Sequence, residues 1–181
     1  MQKRIFLGIS LPEDIKKRLF RFVEKEYKDL PVKWVRQENF HLTLNFLGYT
    51  QEEKIPEICE KIRQATENSK VCDIEFLRVE TGPSKKIKRL IWLTGEKNSD
   101  LAELKNNLDR SLGTLLRERK DFVSHITLGR LKKREWENME EEPAIEKKFQ
   151  FSVPVSSVEL FESKFEKGKR IYYVLESFPL Q

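Results

Sequence analysis

Residues 40–47 read Phe-His-Leu-Thr-Leu-Asn-Phe-Leu, and apolar side chains alternate with polar ones along this stretch. Successive side chains of a β-strand point to opposite faces, so the alternation predicts a strand with one buried face. The apolar set, expected on the core face, comprises Phe40, Leu42, Leu44 and Phe46. The polar set, expected on the open face, comprises His41, Thr43 and Asn45. The sequence therefore predicts a rigid strand that presents a histidine beside a threonine.

The same pattern returns in the second half of the chain. Residues 124–128 read Ser-His-Ile-Thr-Leu, and His125 lies 84 residues after His41. These are the two histidines of the sequence, and each stands two residues before a threonine. We expect two similar lobes that each contribute one strand to a shared cleft, although the rest of the two halves does not visibly repeat.

Helices and strands are mixed over the remaining chain. Further strands are predicted at residues 3–9, 33–35, 71–80, 89–94, 122–130, 149–162 and 170–178. Helices are predicted at residues 11–27, from Thr50 to about residue 68, and at residues 99–118 and 134–141. Ser10-x-x-Glu13 and Thr50-x-x-Glu53 have the spacing of capping boxes. The pattern lacks the regular alternation of a doubly wound parallel sheet and indicates an α+β fold with antiparallel sheets.

Two imidazoles on opposite sides of a phosphorus atom suit an in-line displacement. The ordinary histidine pKa of about 6.5 lets one ring accept a proton from the attacking oxygen while the other donates a proton to the leaving oxygen. Thr43 and Thr127 can donate hydrogen bonds to the non-bridging oxygens. Arg130 is the candidate for a further phosphate contact. Strict alternation would place Arg130 on the core face, so the strand must end or twist before it.

Composition and motifs narrow the other possibilities. The sequence contains no His-x-x-x-His, Cys-x-x-Cys, GxxxxGK[ST] or GxSxG motif, so we predict neither a metal site nor a cofactor. The net charge of +5 leans weakly toward polyanionic partners, but on charge alone a solvated Lys/Glu-rich surface is the favoured explanation. Cys59 and Cys72 are expected as free thiols. With no apolar stretch near the roughly 20 residues of a membrane span, we expect a cytoplasmic monomer without a membrane segment.

The two strand-borne His-x-Thr units resemble the two-histidine (2H) phosphoesterase superfamily. Within it, the chain is similar to the RNA 2′,3′-cyclic phosphodiesterases, also called 2′-5′ RNA ligases. The similarity covers most of the chain and includes residues 4–9, 34–35, 39–44, 46–48, 89–93, 122–130, 160–163 and 172–180. It implies one bilobal 2H phosphoesterase domain over residues 1–181, in which two antiparallel sheets form a central cleft with helices on the outside.

The resemblance also implies an activity and roles for individual residues. The reaction would be hydrolysis of an RNA-terminal 2′,3′-cyclic phosphate to a 2′-phosphate, with joining of a 5′-hydroxyl RNA through a 2′-5′ bond when that hydroxyl replaces water. His41 would be the proton donor to the leaving 3′ oxygen, and His125 the proton acceptor that activates water. Thr43, Thr127 and Arg130 would bind the phosphate.

The chain departs from the family pattern at two places, and other functions stay open. Ser124 stands where members often have proline, and Gly82-Pro83 stands where many have Phe-Pro. Basic residues that either bind RNA phosphates or form a solvated surface are Lys85, Lys86, Lys88, Arg89 and the segment 130–134. The alternative functions are a noncatalytic module that binds RNA ends and a phosphodiesterase that acts on small cyclic nucleotides.

Overall fold

The computed structural model describes residues 1–84, 86–113 and 122–181. Its strands are β1 (Gln2–Ser10), β2 (Val32–Trp34), β3 (His41–Gln51), β4 (Cys72–Pro83), β5 (Lys88–Gly95), β6 (His125–Leu131), β7 (Lys147–Val155), β8 (Ser157–Glu166) and β9 (Lys169–Pro179). Its α-helices are α1 (Glu13–Tyr27), α2 (Ile55–Thr66), α3 (Ser99–Leu112) and α4 (Lys133–Glu137). This mixture of helices and antiparallel strands confirms the predicted α+β class.

The strands pair in the order β7-β4-β5-β6-β3-β1-β8-β9, and the short β2 pairs with β6. Every pairing between the described strands is antiparallel. The first four strands of this order form one half of the sheet and the last four form the other. One register pair within the described ranges, Leu42 with Ile126, joins β3 to β6. The two antiparallel sheets expected from the sequence are therefore continuous through this pair.

The pairing of β1 with β3 is repeated 84 residues later in the pairing of β5 with β6. Pairs of the first ladder have equivalents in the second. Gly8–Thr43 corresponds to Trp92–Thr127, Phe6–Phe46 corresponds to Leu90–Arg130, and Ser10–His41 corresponds to Thr94–His125. Both ladders contain a register shift directly after the threonine, which makes Leu44 and Leu128 the extra residues of two equivalent bulges. The halves share one backbone plan, although their sequences repeat visibly only around the histidines.

The hydrophobic core lies between the helices and the sheet face opposite the histidines. Core residues from the central strands are Leu42, Leu44, Ile126 and Leu128, and those from the helices include Leu19, Val23, Leu101, Leu104 and Leu108. The helical residues recur at intervals of three or four positions, which places them on one side of each helix. Burial of this face fixes the strands and leaves the opposite face free for polar side chains.

The two predicted capping boxes are wrong. No side-chain hydrogen bond caps α1, because Ser10 belongs to β1 and its N–H donates to the carboxylate of Glu159 at 2.9 Å. None caps α2 either, because β3 continues through Thr50 to Gln51. In both places the residue is part of a strand ladder, and this long-range pairing outweighs a local capping preference.

The predicted strand over residues 149–162 is also wrong, because it is two strands. β7 ends at Val155 and pairs with β4, whereas β8 begins at Ser157 and pairs with β1 in the other half of the sheet. The apolar pattern runs through this break, so the change of partner is visible only in the fold.

The predicted helix over residues 99–118 ends earlier than expected. α3 stops at Leu112, where Gly113 adopts a left-handed φ of 67° and its N–H donates to the last turn. A residue without Cβ adopts this conformation most readily, so Gly113 is a favourable end of the helix. Positions 114–118 of the prediction, like Lys85 of the basic loop, lie outside the described residues.

We expect the replacement Leu42→Ala to weaken the connection between the two halves. Leu42 is 1% exposed, and truncation leaves a cavity at its pair with Ile126. The free energy of unfolding, measured by urea denaturation, should fall by about 2–5 kcal/mol. Val174→Ala, at a side chain that is 53% exposed, is the control and should have little effect. A loss as small as that of the control would contradict this role for Leu42.

Candidate active site

His41 is held at the start of β3 by contacts at both ring nitrogens. Nδ1 lies 2.7 Å from the carbonyl oxygen of Asn39, and Nε2 lies 2.9 Å from the hydroxyl oxygen of Thr43. A carbonyl oxygen only accepts, so Nδ1 carries the proton and donates it. In the neutral ring Nε2 is therefore the basic nitrogen, and it accepts the hydrogen of the Thr43 hydroxyl.

His125 repeats the Nδ1 contact at the start of β6. Its Nδ1 lies 2.8 Å from the carbonyl oxygen of Val123, so this nitrogen also donates and Nε2 is the basic one. In each motif the ring is oriented by the carbonyl two residues earlier in the chain. The backbone thereby fixes the same tautomer in both histidines and leaves Nε2 for proton transfer.

The two histidines lie on one face of the joined sheet, beside the pair that connects its halves. His41 precedes Leu42, His125 precedes Ile126, and Leu42 and Ile126 pair with each other. Neighbours in a strand point to opposite faces, so both histidines point away from the face that Leu42 and Ile126 bury. Because β3 and β6 are antiparallel, the two histidines lie diagonally on either side of the Leu42–Ile126 pair. Each histidine therefore lies on the same side of this pair as the threonine of the other motif.

Aromatic rings pack against both imidazoles and shield part of each ring from water, so that both histidines are half-buried. The centroid of the His41 ring lies 4.9 Å from that of Phe6 and 5.1 Å from that of Tyr172. The centroid of the His125 ring lies 4.5 Å from that of Trp92. Burial lowers the pKa of His41 to about 4, and repulsion from His125 adds to this lowering. Burial also lowers the pKa of His125 below its ordinary value. The unliganded site therefore holds neutral histidines at pH 7.

A bulge turns Arg130 toward the histidine face. The register between β5 and β6 shifts after Thr127, so Thr127 lies opposite Trp92 while Arg130 lies opposite Leu90. Leu90 and Trp92 are two residues apart in β5 and share one face. Arg130 therefore lies on the face of Thr127 and His125, and it is exposed there. This bulge is the twist of the strand that the sequence predicted, because strict alternation would have placed Arg130 on the core face.

The equivalent bulge in β3 overturns the predictions for Phe46 and Asn45. Phe46 is 73% exposed and lies opposite Phe6, whereas Asn45 is buried and its amide donates to Asp109 of α3 at 2.6 Å. The strand alternation had predicted the reverse placement. The second motif indicated the exposed position of Phe46 in advance. Arg130 is its equivalent there, and an arginine rarely lies in a core.

Sequence reasoning missed the aromatic residues that surround the histidines. These residues, Phe6, Trp92 and Tyr172, are distant in sequence from the motif whose histidine they contact. The pairing of strands in the sheet brings them next to the imidazoles. Gly82, part of the departure from the family pattern, serves this packing. A Cβ added to it would lie 2.2 Å from the Trp92 ring, so glycine allows β4 to approach that ring closely.

The described ranges contain neither a cluster suited to a metal ion nor a helix suited to a membrane. Among these residues, no cluster of three or more His, Cys, Asp or Glu side chains could hold a metal ion. No helix in the described part of the chain is long and apolar enough to cross a membrane. Cys59 and Cys72 are buried free thiols, as the sequence predicted.

Two consecutive segments, residues 9–92 and 93–172, each match the family described as LigT-like phosphoesterase. The chain belongs to the LigT-like phosphoesterases. Each matched segment contains one His-x-Thr motif, in agreement with the repeated ladder. Membership of this family makes the chain an enzyme that acts on phosphoester bonds.

Similar proteins extend over nearly the whole chain. The RNA 2′,3′-cyclic phosphodiesterase of Thermotoga maritima is 34% identical over 188 residues, which cover 95% of this chain and 92% of that protein. The RNA 2′,3′-cyclic phosphodiesterase of Methanocaldococcus jannaschii is 34% identical over 130 residues, which cover 71% of this chain and 72% of that protein. The solved structure of TT0787 from Thermus thermophilus matches with a TM-score of 0.79 at 26% sequence identity. The match covers 98% of this chain and 97% of that one. These similarities confirm the family and the fold predicted from the sequence.

We expect NMR titration of the unliganded LigT-like chain to find a midpoint for His41 near 4 and one for His125 below 6.5. Inorganic phosphate should raise both midpoints, because a nearby anion favours the protonated imidazole. The ring Cε1–H resonances report the titration, and His125→Ala assigns them because the chain has two histidines. An ordinary midpoint for His41 in the free protein would contradict its burial.

Proposed function

We propose that this phosphoesterase hydrolyses the 2′,3′-cyclic phosphate at the end of an RNA to a 2′-phosphate, without a metal or a cofactor. The observation that carries the proposal is the diagonal pair of imidazoles on one sheet face, each with Nε2 as its basic nitrogen. The names of the Thermotoga and Methanocaldococcus relatives support the same substrate. We also propose that residues 1–181 act as one bilobal, monomeric domain, because both motifs come from one chain. A cytoplasmic location stays a prediction.

The proposed mechanism uses His125 as the proton acceptor. Its Nε2 removes a proton from water while the water oxygen forms a bond to phosphorus. The bond from phosphorus to the 3′ oxygen breaks on the opposite side, and His41 donates a proton to that oxygen. One proton is gained at His125 and one is lost from His41, so proton exchange with solvent restores the enzyme.

His41 must be protonated before it can act as the donor, and burial in the free site opposes that form. The cyclic phosphate carries a negative charge, which favours the protonated ring. Protonation changes the role of Thr43 as well: Nε2 becomes a donor, and the Thr43 hydroxyl no longer directs its hydrogen to the ring. That hydroxyl can then donate to a non-bridging oxygen. Substrate binding, formation of the acid and contact with Thr43 are therefore coupled.

Thr127 and Arg130 bind the same phosphate from β6 in this mechanism. Both lie on the face of His125, with Arg130 brought there by the bulge. A hydroxyl and a guanidinium both donate hydrogen bonds to non-bridging oxygens, and the guanidinium also neutralises charge. These contacts stabilise the charge that develops at phosphorus during displacement.

The same residues can join two RNA ends. When the 5′-hydroxyl of a second RNA replaces water, His125 takes the proton of that hydroxyl as its oxygen bonds to phosphorus. The bond to the 3′ oxygen breaks, and His41 protonates it, which leaves a 2′-5′ phosphodiester. Hydrolysis and joining then differ only in the nucleophile that enters beside His125.

We expect His41→Ala and His125→Ala each to lower the rate of cyclic-phosphate hydrolysis by roughly 10²–10⁴, the usual contribution of a general acid or base. The assay uses a short RNA with a 2′,3′-cyclic end and identifies the product as a 2′- or a 3′-phosphate. Circular dichroism of both variants should match that of the unaltered protein. Full activity in either folded variant would refute the assigned roles.

The same assay separates the alternative functions. Binding of the RNA by the unaltered protein without any product would favour the noncatalytic module. Faster turnover of a cyclic phosphate of ADP-ribose than of the RNA end would favour the phosphodiesterase of small cyclic nucleotides. A 2′-phosphate product, formed fastest from RNA, supports the proposed reaction.

The phosphate contact of Thr127 can be tested with variants of matched size. Thr127→Val removes the hydroxyl and should lower the hydrolysis rate by about 10²–10³, as loss of one donor to a developing oxyanion does elsewhere. Thr127→Ser keeps the hydroxyl and should retain most of the activity. Equal rates in the two variants would exclude hydrogen bonding by this side chain.

A further inference from the structure

A groove of about 980 Å³ extends from Arg130 across the first residues of β5 and the short helix α4. Its volume is at the upper end of the roughly 300–1,000 Å³ of small-ligand pockets. Cationic residues that line it are Lys86, Lys88, Arg89, Arg130 and Lys133. Trp136 of α4 also lines it and is half-buried. The groove therefore combines several positive charges with one aromatic ring.

The two carboxylates that line the groove leave most of this positive charge unneutralised. Glu142 forms an ion pair with Lys88, and Glu137 lies 3.8 Å from Lys133. No residue in the described ranges forms an ion pair with Lys86, Arg89 or Arg130, and all three are exposed. A surface that only kept the protein solvated would need no concave shape and no aromatic ring, so these features favour a polyanionic ligand.

The groove is continuous with the proposed active site. Arg130 belongs to both, because it lines the groove and shares the face of Thr127 and His125. A ligand in the groove therefore approaches the proposed site from β6. Positively charged grooves with an aromatic ring are the usual means of holding a single-stranded nucleic acid, with phosphates on the cations and a base stacked on the ring.

We propose that this groove binds the phosphodiester backbone of an RNA strand at the active site. The proposal rests on the proposed function and extends it, because it makes an oligonucleotide rather than a mononucleotide the preferred substrate. Two RNA strands in the proposed reactions have such a phosphodiester backbone. One is the strand that bears the cyclic phosphate, and the other is the strand that offers a 5′-hydroxyl in joining.

The test compares two substrates in the double variant Arg89→Gln/Lys133→Gln. One substrate is a mononucleoside 2′,3′-cyclic phosphate, and the other is a ten-nucleotide RNA with a cyclic end. We expect kcat/KM for the RNA to fall by roughly tenfold more than that for the mononucleotide, since removed phosphate contacts weaken binding of the strand. The logarithmic salt dependence of RNA binding should become shallower by about 1.4 for two lost contacts.

The matched control is Arg21→Gln, which removes an exposed positive charge from α1 on the helix-covered side. It should leave the ratio of the two kcat/KM values and the salt dependence unchanged. Circular dichroism and thermal melting establish that the double variant and the control are both folded.

Each outcome has one meaning. Selective loss of RNA hydrolysis assigns the groove to the strand with the cyclic end, whereas intact hydrolysis with loss of joining to a 5′-hydroxyl RNA assigns it to the second strand. An equal fall for both hydrolysis substrates, or no change in hydrolysis, joining and salt dependence, overturns the proposal. Absence of hydrolysis in the unaltered protein would instead refute the proposed function, and the salt dependence of RNA binding would still test the groove.

Discussion

The pair between Leu42 and Ile126 is the contact on which the arrangement of the site depends. Within the described ranges it is the ladder pair that joins the two halves of the sheet, and each histidine is the residue directly before one of its members. Strand geometry holds directly opposed side chains about 5 Å apart and diagonal ones, such as the two histidines, roughly 7–8 Å apart. The separation of the imidazoles is therefore set by backbone pairing and a buried apolar contact, and no flexible loop intervenes. A site that must hold two proton-transfer groups across one phosphorus atom benefits from such rigidity.

The two halves share their backbone plan but differ at the positions that surround the histidines. Gly8 lies opposite Thr43, where an added Cβ would come within 2.6 Å of the Leu42 carbonyl oxygen, and the equivalent residue in the other half is Trp92. The exposed Phe46 in β3 similarly corresponds to Arg130 in β6. At the two bulges, the equivalent positions thus carry an apolar ring in the half of His41 and a cation in the half of His125. In the proposed mechanism this asymmetry distinguishes the two sides of the bound phosphate, which two identical motifs alone would not do.

Local sequence periodicity predicted the motif strands and the neighbouring threonines, because side-chain alternation depends on the residue's own strand. It failed where a residue's place depends on a distant partner. The bulges after Thr43 and Thr127 reverse the alternation and place Phe46 outside the core, and the ladders hold Ser10 and Thr50 in strands despite their capping-box spacing. The split of 149–162 into two strands has the same origin, since β7 and β8 pair in different halves of the sheet. The aromatic neighbours of the histidines also come from sheet order, which no single stretch of sequence specifies.

The aromatic packing around His41 opposes the role of general acid that the proposed mechanism gives to this residue, because a partly buried imidazole resists protonation. The proposed substrate removes this conflict, because it brings a negative charge to the ring. The low-dielectric surroundings that disfavour an isolated imidazolium also strengthen its attraction to an adjacent anion. In the proposed mechanism, the acid therefore forms mainly when the cyclic phosphate is bound. Partial burial and the proposed acid role are compatible because the bound anion would complete an ion pair with the imidazolium.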